Sequence, residues 1–345
     1  MSELPPQPTP SPAPPQSGRG WLIALAIVIG LVLSCAILPL GAFALLLGSA
    51  GGSAGTTVGP LPAPRWEEQM VSGSGLDRIV IIEVAGVIGA AADPFSLTVS
   101  QDQLLSQIEQ ATEDPLVKAV VLRVDSPGGG VVASSELHSA LSELAAEKPL
   151  VVSMGATAAS GGYYIAMAAE RIYANPDTLT GSLGVILSLT NYGEAFDRLG
   201  LRSYVYKSGE LKDIGSPTRE PTAEEAAVLQ SVVNEAYEGF VTVIIEGRGL
   251  DRDRVLELAD GRIYTGSQAL EVGLIDALGN LDAAIDGALE LADLENALIV
   301  RYTESTSLRA LLLSRLQAPA APADPLGLRQ ITEPAPPRLE YRWMQ

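Results

Sequence analysis

The stretch "GATAASGGYYIAMAA", Gly155 to Ala169, holds one serine, Ser160, set among small residues and followed by two glycines. Before it runs "PLVVSM", an apolar segment that reads as a buried strand. A serine at a strand-to-helix turn with small neighbours has the shape of a nucleophile elbow, where the backbone bends sharply and a substrate approaches closely. The usual Gly-x-Ser-x-Gly is absent; the local text is Ala-Ala-Ser-Gly-Gly. Read alone, Ser160 leans towards a small residue at a tight turn. A second stretch, "DSPGGG" (Asp125 to Gly130), also joins a strand to a helix. Its glycines free backbone N–H groups to face an anion or oxyanion. A turn that needs positive φ explains them equally well. The stretch lacks the Lys-Ser/Thr ending of a phosphate loop. The N–H of Gly161 is placed to serve the same oxyanion as the "PGG" loop.

A nucleophilic serine needs a base. The single histidine, His138, sits in "ELHSAL" beside Glu136, Ser139 and Ser142, and reads as a surface helical residue. That turns attention to lysine, which acts as a base only when neutral. Its pKa, ordinarily near 10.4, must then be pulled down by burial. The chain has four lysines: Lys118, Lys148, Lys207 and Lys212. The first two precede strands and read as solvated. Lys207 and Lys212 lie in the polar loop "YVYKSGELKDIGSP", and the residues alone do not choose between them.

The elements that must hold these groups alternate. "RIVIIEVAGVI", "VKAVVLRVDS" and "PLVVSM" are strand-like, while "SQDQLLSQIEQATED" and "VVASSELHSALSELAAE" have helical spacing. Alternation of this kind predicts an α/β fold, a parallel sheet covered by helices. "PTAEEAAVLQSVVNEAYEGFVTVIIEGRG" predicts a long amphipathic helix capped by Thr222. "GRIYTGSQALEVGLIDALGNLDAAIDGALELA" adds a short strand and two helices.

Residues 1–20 are rich in proline and serine and read as disordered. Trp21 to Leu47 carries no charged side chain and is long enough for a transmembrane helix. It is too long for the apolar core of a cleaved signal peptide, although "LVLSC" faintly resembles a lipoprotein processing site at Cys35. Arg19 before the span and Arg65 after it favour a cytoplasmic N-terminus and an exported body at the cell membrane. Residues 48–75 read as a linker, 76–305 as the catalytic domain, and 306–345 as a Pro/Ala-rich tail, partly disordered, whose Tyr341 and Trp343 are candidates for docking.

The net charge of −19 comes without a basic cluster, which argues against a nucleic-acid partner. One cysteine and one histidine leave no intrachain disulfide and no multi-histidine metal site. No cofactor is expected.

"GATAASGGYYIAMAA", "TGSLGVI", "YKSGELKDIGSP" and "GRIYTGSQALEVGLIDALG", in this order and spacing, together resemble the signal peptide peptidase A family of membrane-anchored serine proteases, in its short, single-domain form. The resemblance runs from about Ile79 to Val300. It implies a Clp protease/crotonase-like domain with a Ser-Lys dyad: Ser160 as nucleophile, Lys212 as general base, and Ser182 orienting the lysine amine. It also implies an oxyanion hole from the N–H groups of Gly129 and Gly161, with Gly128 the weaker candidate. Implied substrates are remnant signal peptides and similar extended apolar peptides. The implied assembly is a homo-oligomeric ring or dome with sites where protomers meet. The rival readings are a crotonase-type acyl-CoA enzyme, which calls for CoA-binding basic residues, and a catalytically dead membrane scaffold of the same fold.

Overall fold

The computed structural model describes residues 66–89, 98–303 and 339–342. The expected transmembrane helix, Cys35 and Trp343 lie outside the described residues. Among those described, no helix is long and apolar enough to cross a membrane.

The chain begins with β1 (Glu67–Gly73) and β2 (Arg78–Ala85), and Gly86, at φ 103°, breaks the apolar run before β3 (Val87–Gly89). β4 (Thr98–Ser100) leads into α1 (Gln101–Glu113). β5 (Val117–Ser126) is followed by β6 (Gly128–Gly130) and α2 (Val131–Glu147). β7 (Leu150–Ala159) turns at Ser160 into the short α3 (Gly161–Ala166). Then come β8 (Arg171–Ala174), β9 (Leu179–Gly181), β10 (Ile186–Leu187) and α4 (Gly193–Arg198). A 3-10 turn at Glu210–Asp213 precedes the long α5 (Ala223–Arg248). The body closes with α6 (Arg252–Leu258), β11 (Ile263–Thr265), α7 (Gly266–Glu271), β12 (Ala277–Leu278), α8 (Leu281–Leu291) and β13 (Leu298–Thr303). The last described element is β14 (Leu339–Arg342).

The main sheet runs β1-β13-β2-β5-β7-β8-β12, with β9 joining β7 and β11 joining β9. β13, β2, β5, β7, β8 and β12 pair in parallel. Their inner members are apolar on both faces, as a sheet covered on both sides requires. Ile79, Ile81, Ala119, Val121 and Val151 pack with Ala284 and Ala288 of α8. The alternate residues Val80, Ile82, Val120, Leu122 and Val152 share the other core with Leu104 and Ile108 of α1 and Leu137 and Leu141 of α2. Each fully buried Val or Ile contributes roughly 1.5–3 kcal/mol, so this double core readily outweighs local strain elsewhere.

The α/β expectation therefore holds. The Thr222 cap holds too: its hydroxyl accepts from the Glu225 amide at 3.2 Å, and the Glu225 carboxylate accepts from the Thr222 amide at 2.8 Å. Two elements differ from expectation. β1 lies within residues read as linker, where it pairs antiparallel with β13. Lys148 is not simply solvated: its amine donates to the Ala111 and Asp114 carbonyls, each at 2.7 Å, at the C-terminal end of α1.

A second, smaller sheet carries the glycine loop, in the order β10-β14-β6-β3-β4. Here the C-terminal strand β14 lies antiparallel between β6 and β10.

Candidate active site

Ser160 follows β7 in a backbone conformation that L residues seldom adopt, φ 53° and ψ −115°. Its amide donates to the Gly181 carbonyl at 2.8 Å, one step beyond the β7–β9 ladder. Its carbonyl accepts from the Tyr164 amide at 2.8 Å, which opens α3. The strain, on the order of 1–3 kcal/mol, is held by strands on both sides. Ser160 is 1% exposed, and its Oγ has no hydrogen-bond partner. A buried hydroxyl normally finds one.

The glycines crowd against it. A methyl on Gly128, at φ +99°, would lie 2.6 Å from the Gly161 nitrogen, and one on Gly161 would lie 3.1 Å from the Gly129 nitrogen. The structure thus brings the backbone of Gly128, Gly129 and Gly161 together beside Ser160. Gly162 serves packing: a methyl there would meet the Ser126 carbonyl oxygen at 2.8 Å.

Ser182 follows Gly181 directly and also has positive φ, 51°. Its amide donates to the Arg262 carbonyl at 2.7 Å. It lines a cavity of about 330 Å³ with Asn234 and Tyr237 of α5 and with Gly261. Ser160 and Ser182 are therefore delivered side by side from adjacent strands.

Lys212 is not brought to them. It is exposed, and it borders a separate cleft with Ser208, Gly209, Glu210, Leu211 and Glu224. The two loop lysines nevertheless differ. Lys207 donates to the Glu210 carbonyl at 2.7 Å and to Asp213 Oδ1 at 2.6 Å. Asp213 also receives Arg219, which forks onto Glu225 at 2.8 and 2.5 Å. The Arg219 guanidinium, aided by Lys207, holds the Asp213 carboxyl down at about 2. Arg219, aided by the Thr222 amide, holds Glu225 at about 2. Lys207 thus anchors the loop, and no such bond ties the Lys212 amine.

His138 does not reach Ser160. It is half-buried, its ring stands edge-on to Tyr164 at 5.3 Å, and burial lowers its pKa. Among the described residues no cluster of metal-ligating side chains forms.

Beside the site an aromatic cluster seats Tyr341, the docking candidate of the tail, while the parts of Tyr164 and Phe240 in it were not foreseen. Tyr341 of β14 pairs with Gly129, and its ring stacks on Tyr164 at 5.0 Å and tilts against Phe240 at 4.8 Å. Its hydroxyl donates to the Ala236 carbonyl at 2.9 Å. Tyr164 follows Ser160 by one helical turn, so the "YY" after the serine was the available signal. Phe240 is remote in sequence and gave none.

A serine on a strained strand-to-helix turn, beside converging glycine amides on a parallel sheet, defines a serine-hydrolase type of site. Comparison with known proteins narrows it. Peptidase family S49 matches residues 142–295, a span that includes Ser160, Ser182 and Lys212. The chain is 39% identical over 245 residues to the "Putative signal peptide peptidase SppA" of Enterococcus faecium, covering 70% of this chain and 71% of that one. It is 40% identical over 198 residues to "Protease 4" of Salmonella typhi, covering 57% of this chain and 32% of that one. With the "Serine protease SPPA, chloroplastic" of Arabidopsis thaliana it shares 35% over 224 residues, covering 64% of this chain and 33% of the relative. The chain belongs to peptidase family S49, the signal peptide peptidase A family, and is a serine-type endopeptidase.

Proposed function

We propose that this chain is a membrane-anchored Ser-Lys endopeptidase, cutting extended apolar peptides such as remnant signal peptides, with each dyad completed between protomers of a ring or dome. The observation that carries it is the unpartnered, buried Oγ of Ser160 beside the Gly129 and Gly161 amides. In this reading a neutral Lys212 takes the Ser160 proton as Oγ attacks the peptide carbonyl. The oxyanion then accepts from the Gly129 and Gly161 N–H groups, each worth on the order of 3 kcal/mol. Lys212 returns the proton to the leaving amine, and water releases the acyl-enzyme.

Within one chain Lys212 is exposed, whereas a neutral lysine needs burial. A neighbouring protomer's Lys212 entering the cavity beside Ser182 resolves this, with the Ser182 hydroxyl orienting the amine. The exposed side chains of Leu199, Tyr204 and Tyr206 before the lysine turn suit a contact between copies. Extended peptide recognition is supported by β14, which occupies the lane between β6 and β10 as an added strand. The anchor is the apolar stretch Trp21 to Leu47, with the body exported; it keeps the site near membrane-borne substrates.

The test is cleavage of an apolar peptide by the parent and by Ser160→Ala, Lys212→Ala and Lys207→Ala. The proposal expects the first two to be inactive and the third to retain turnover. Cleavage retained by either Ser160→Ala or Lys212→Ala refutes the dyad.

A further inference from the structure

On α2, Ser139 donates to the Ser135 carbonyl at 3.1 Å and Ser142 to the His138 carbonyl at 2.8 Å. That is the usual resting place of a helical serine hydroxyl, one turn back. Ser134, on the same helix, does not follow. It is 0% exposed, and its Oγ has no partner. Leaving a buried hydroxyl unpaired is costly, so such a group calls for an explanation.

Its surroundings supply one. Oγ of Ser134 lies 2.6 Å from the point where a side chain on Gly161 would begin. The same point is 3.1 Å from the Gly129 nitrogen and 3.2 Å from the Gly128 Cα. Glycine at 161 is what leaves room for this hydroxyl. Ser134 also stands in the first turn of a 17-residue helix, where the backbone already favours negative charge. Two unpartnered buried serine hydroxyls, Ser134 and Ser160, thus flank one glycine residue.

We propose that Ser134 is a further hydrogen-bond donor of this site, its hydroxyl turning to the substrate oxyanion alongside the amides of Gly129 and Gly161. The proposal rests on Ser160 being the nucleophile. The hydroxyl has no acceptor at rest and gains one as the carbonyl oxygen becomes charged, so its contribution falls on the transition state. It forms no covalent bond and moves no proton.

The experiment compares full-length parent, Ser134→Ala, Ser134→Cys and Ser160→Ala on one extended apolar peptide, with thermal unfolding of each. For Ser134→Ala the expected result is a kcat lowered roughly tenfold or more, as for loss of one oxyanion donor, with KM little changed. Its melting temperature stays level or rises, because an unpaired buried hydroxyl has been removed. Ser134→Cys, a weaker donor, falls between. A Ser134→Ala kcat within about twofold of the parent overturns the proposal. So does a loss of activity that merely follows a fall in melting temperature. Cleavage by Ser160→Ala instead overturns the nucleophile, so the two failures are told apart.

Discussion

The amide of Ser160 donates to the carbonyl of Gly181 at 2.8 Å, extending the β7–β9 ladder by one bond past the end of β7. That bond fixes where Ser160 stands and makes Ser182 its neighbour across the ladder. It also holds Ser160 at φ 53°, a conformation that glycine adopts at little cost. Ser160→Gly and Ser160→Ala should therefore both be inactive but differ in stability. Relief of strain on the order of 1–3 kcal/mol should make the glycine variant melt a few degrees higher. Thermal unfolding of the pair checks this, and a glycine variant that melts lower contradicts the strain.

The glycine loop should be sharply position-dependent. A methyl on Gly128 would lie 2.1 Å from the Tyr341 carbonyl oxygen and would force a side chain into φ +99°. At Gly130 the nearest atom is the Ala133 Cβ, at 3.9 Å. Gly128→Ala should lower kcat on the order of a hundredfold, because the methyl displaces the loop and misaims the Gly129 and Gly161 amides, whereas Gly130→Ala should cut at close to the parental rate. Steady-state kinetics of the two variants, with circular dichroism as a folding control, decides.

In the proposed reading the docked tail should compete with incoming peptide. Tyr341 is 2% exposed, and its strand fills the lane between β6 and β10. Ending the chain before Leu339 should lower KM for an extended peptide several-fold, because a tethered competitor is lost. An unchanged KM places peptide binding elsewhere.

Acid should loosen the lysine loop. The carboxyl of Glu225 is held at about 2, against an ordinary 4.5, first by Arg219 and then by the Thr222 amide. A depressed pKa contributes stability that is whole above the unfolded value and is lost as pH falls through the folded one. Stability should therefore decline from about pH 4.5 towards pH 2. Glu225→Gln should flatten that part of the profile, as followed by chemical unfolding at stepped pH.

The sequence made legible those parts whose side chains carry a period. β2, β5 and β7 show as apolar runs, and α2 covers the residues its spacing predicts, Val131–Glu147. The Thr222 cap is a local chemical signal and was legible, while the return bond from Glu225 that completes a capping box was not part of the expectation. β1 was not legible: every residue of "EEQMVSG" is exposed, and only its register against β13 makes it a strand. β14 and β6 escaped for a related reason. Three glycines have no side chains to pattern, and their partner strand follows more than two hundred residues later. For the candidate site, Ser160 and the glycine loop are local turns and so were visible. Lys212 stands on an exposed loop, whose polar residues carry no period that would fix where it lies.

The proposed dyad is shared between copies of the chain, and co-assembly tests this directly. Full-length Ser160→Ala and Lys212→Ala chains, each inactive alone, are co-assembled in equal amounts and given an apolar peptide. If each site draws Ser160 from one protomer and Lys212 from the next, random assembly restores about a quarter of the parental sites. Recovered turnover near that level is the expected result. A mixture as inactive as its components contradicts the account.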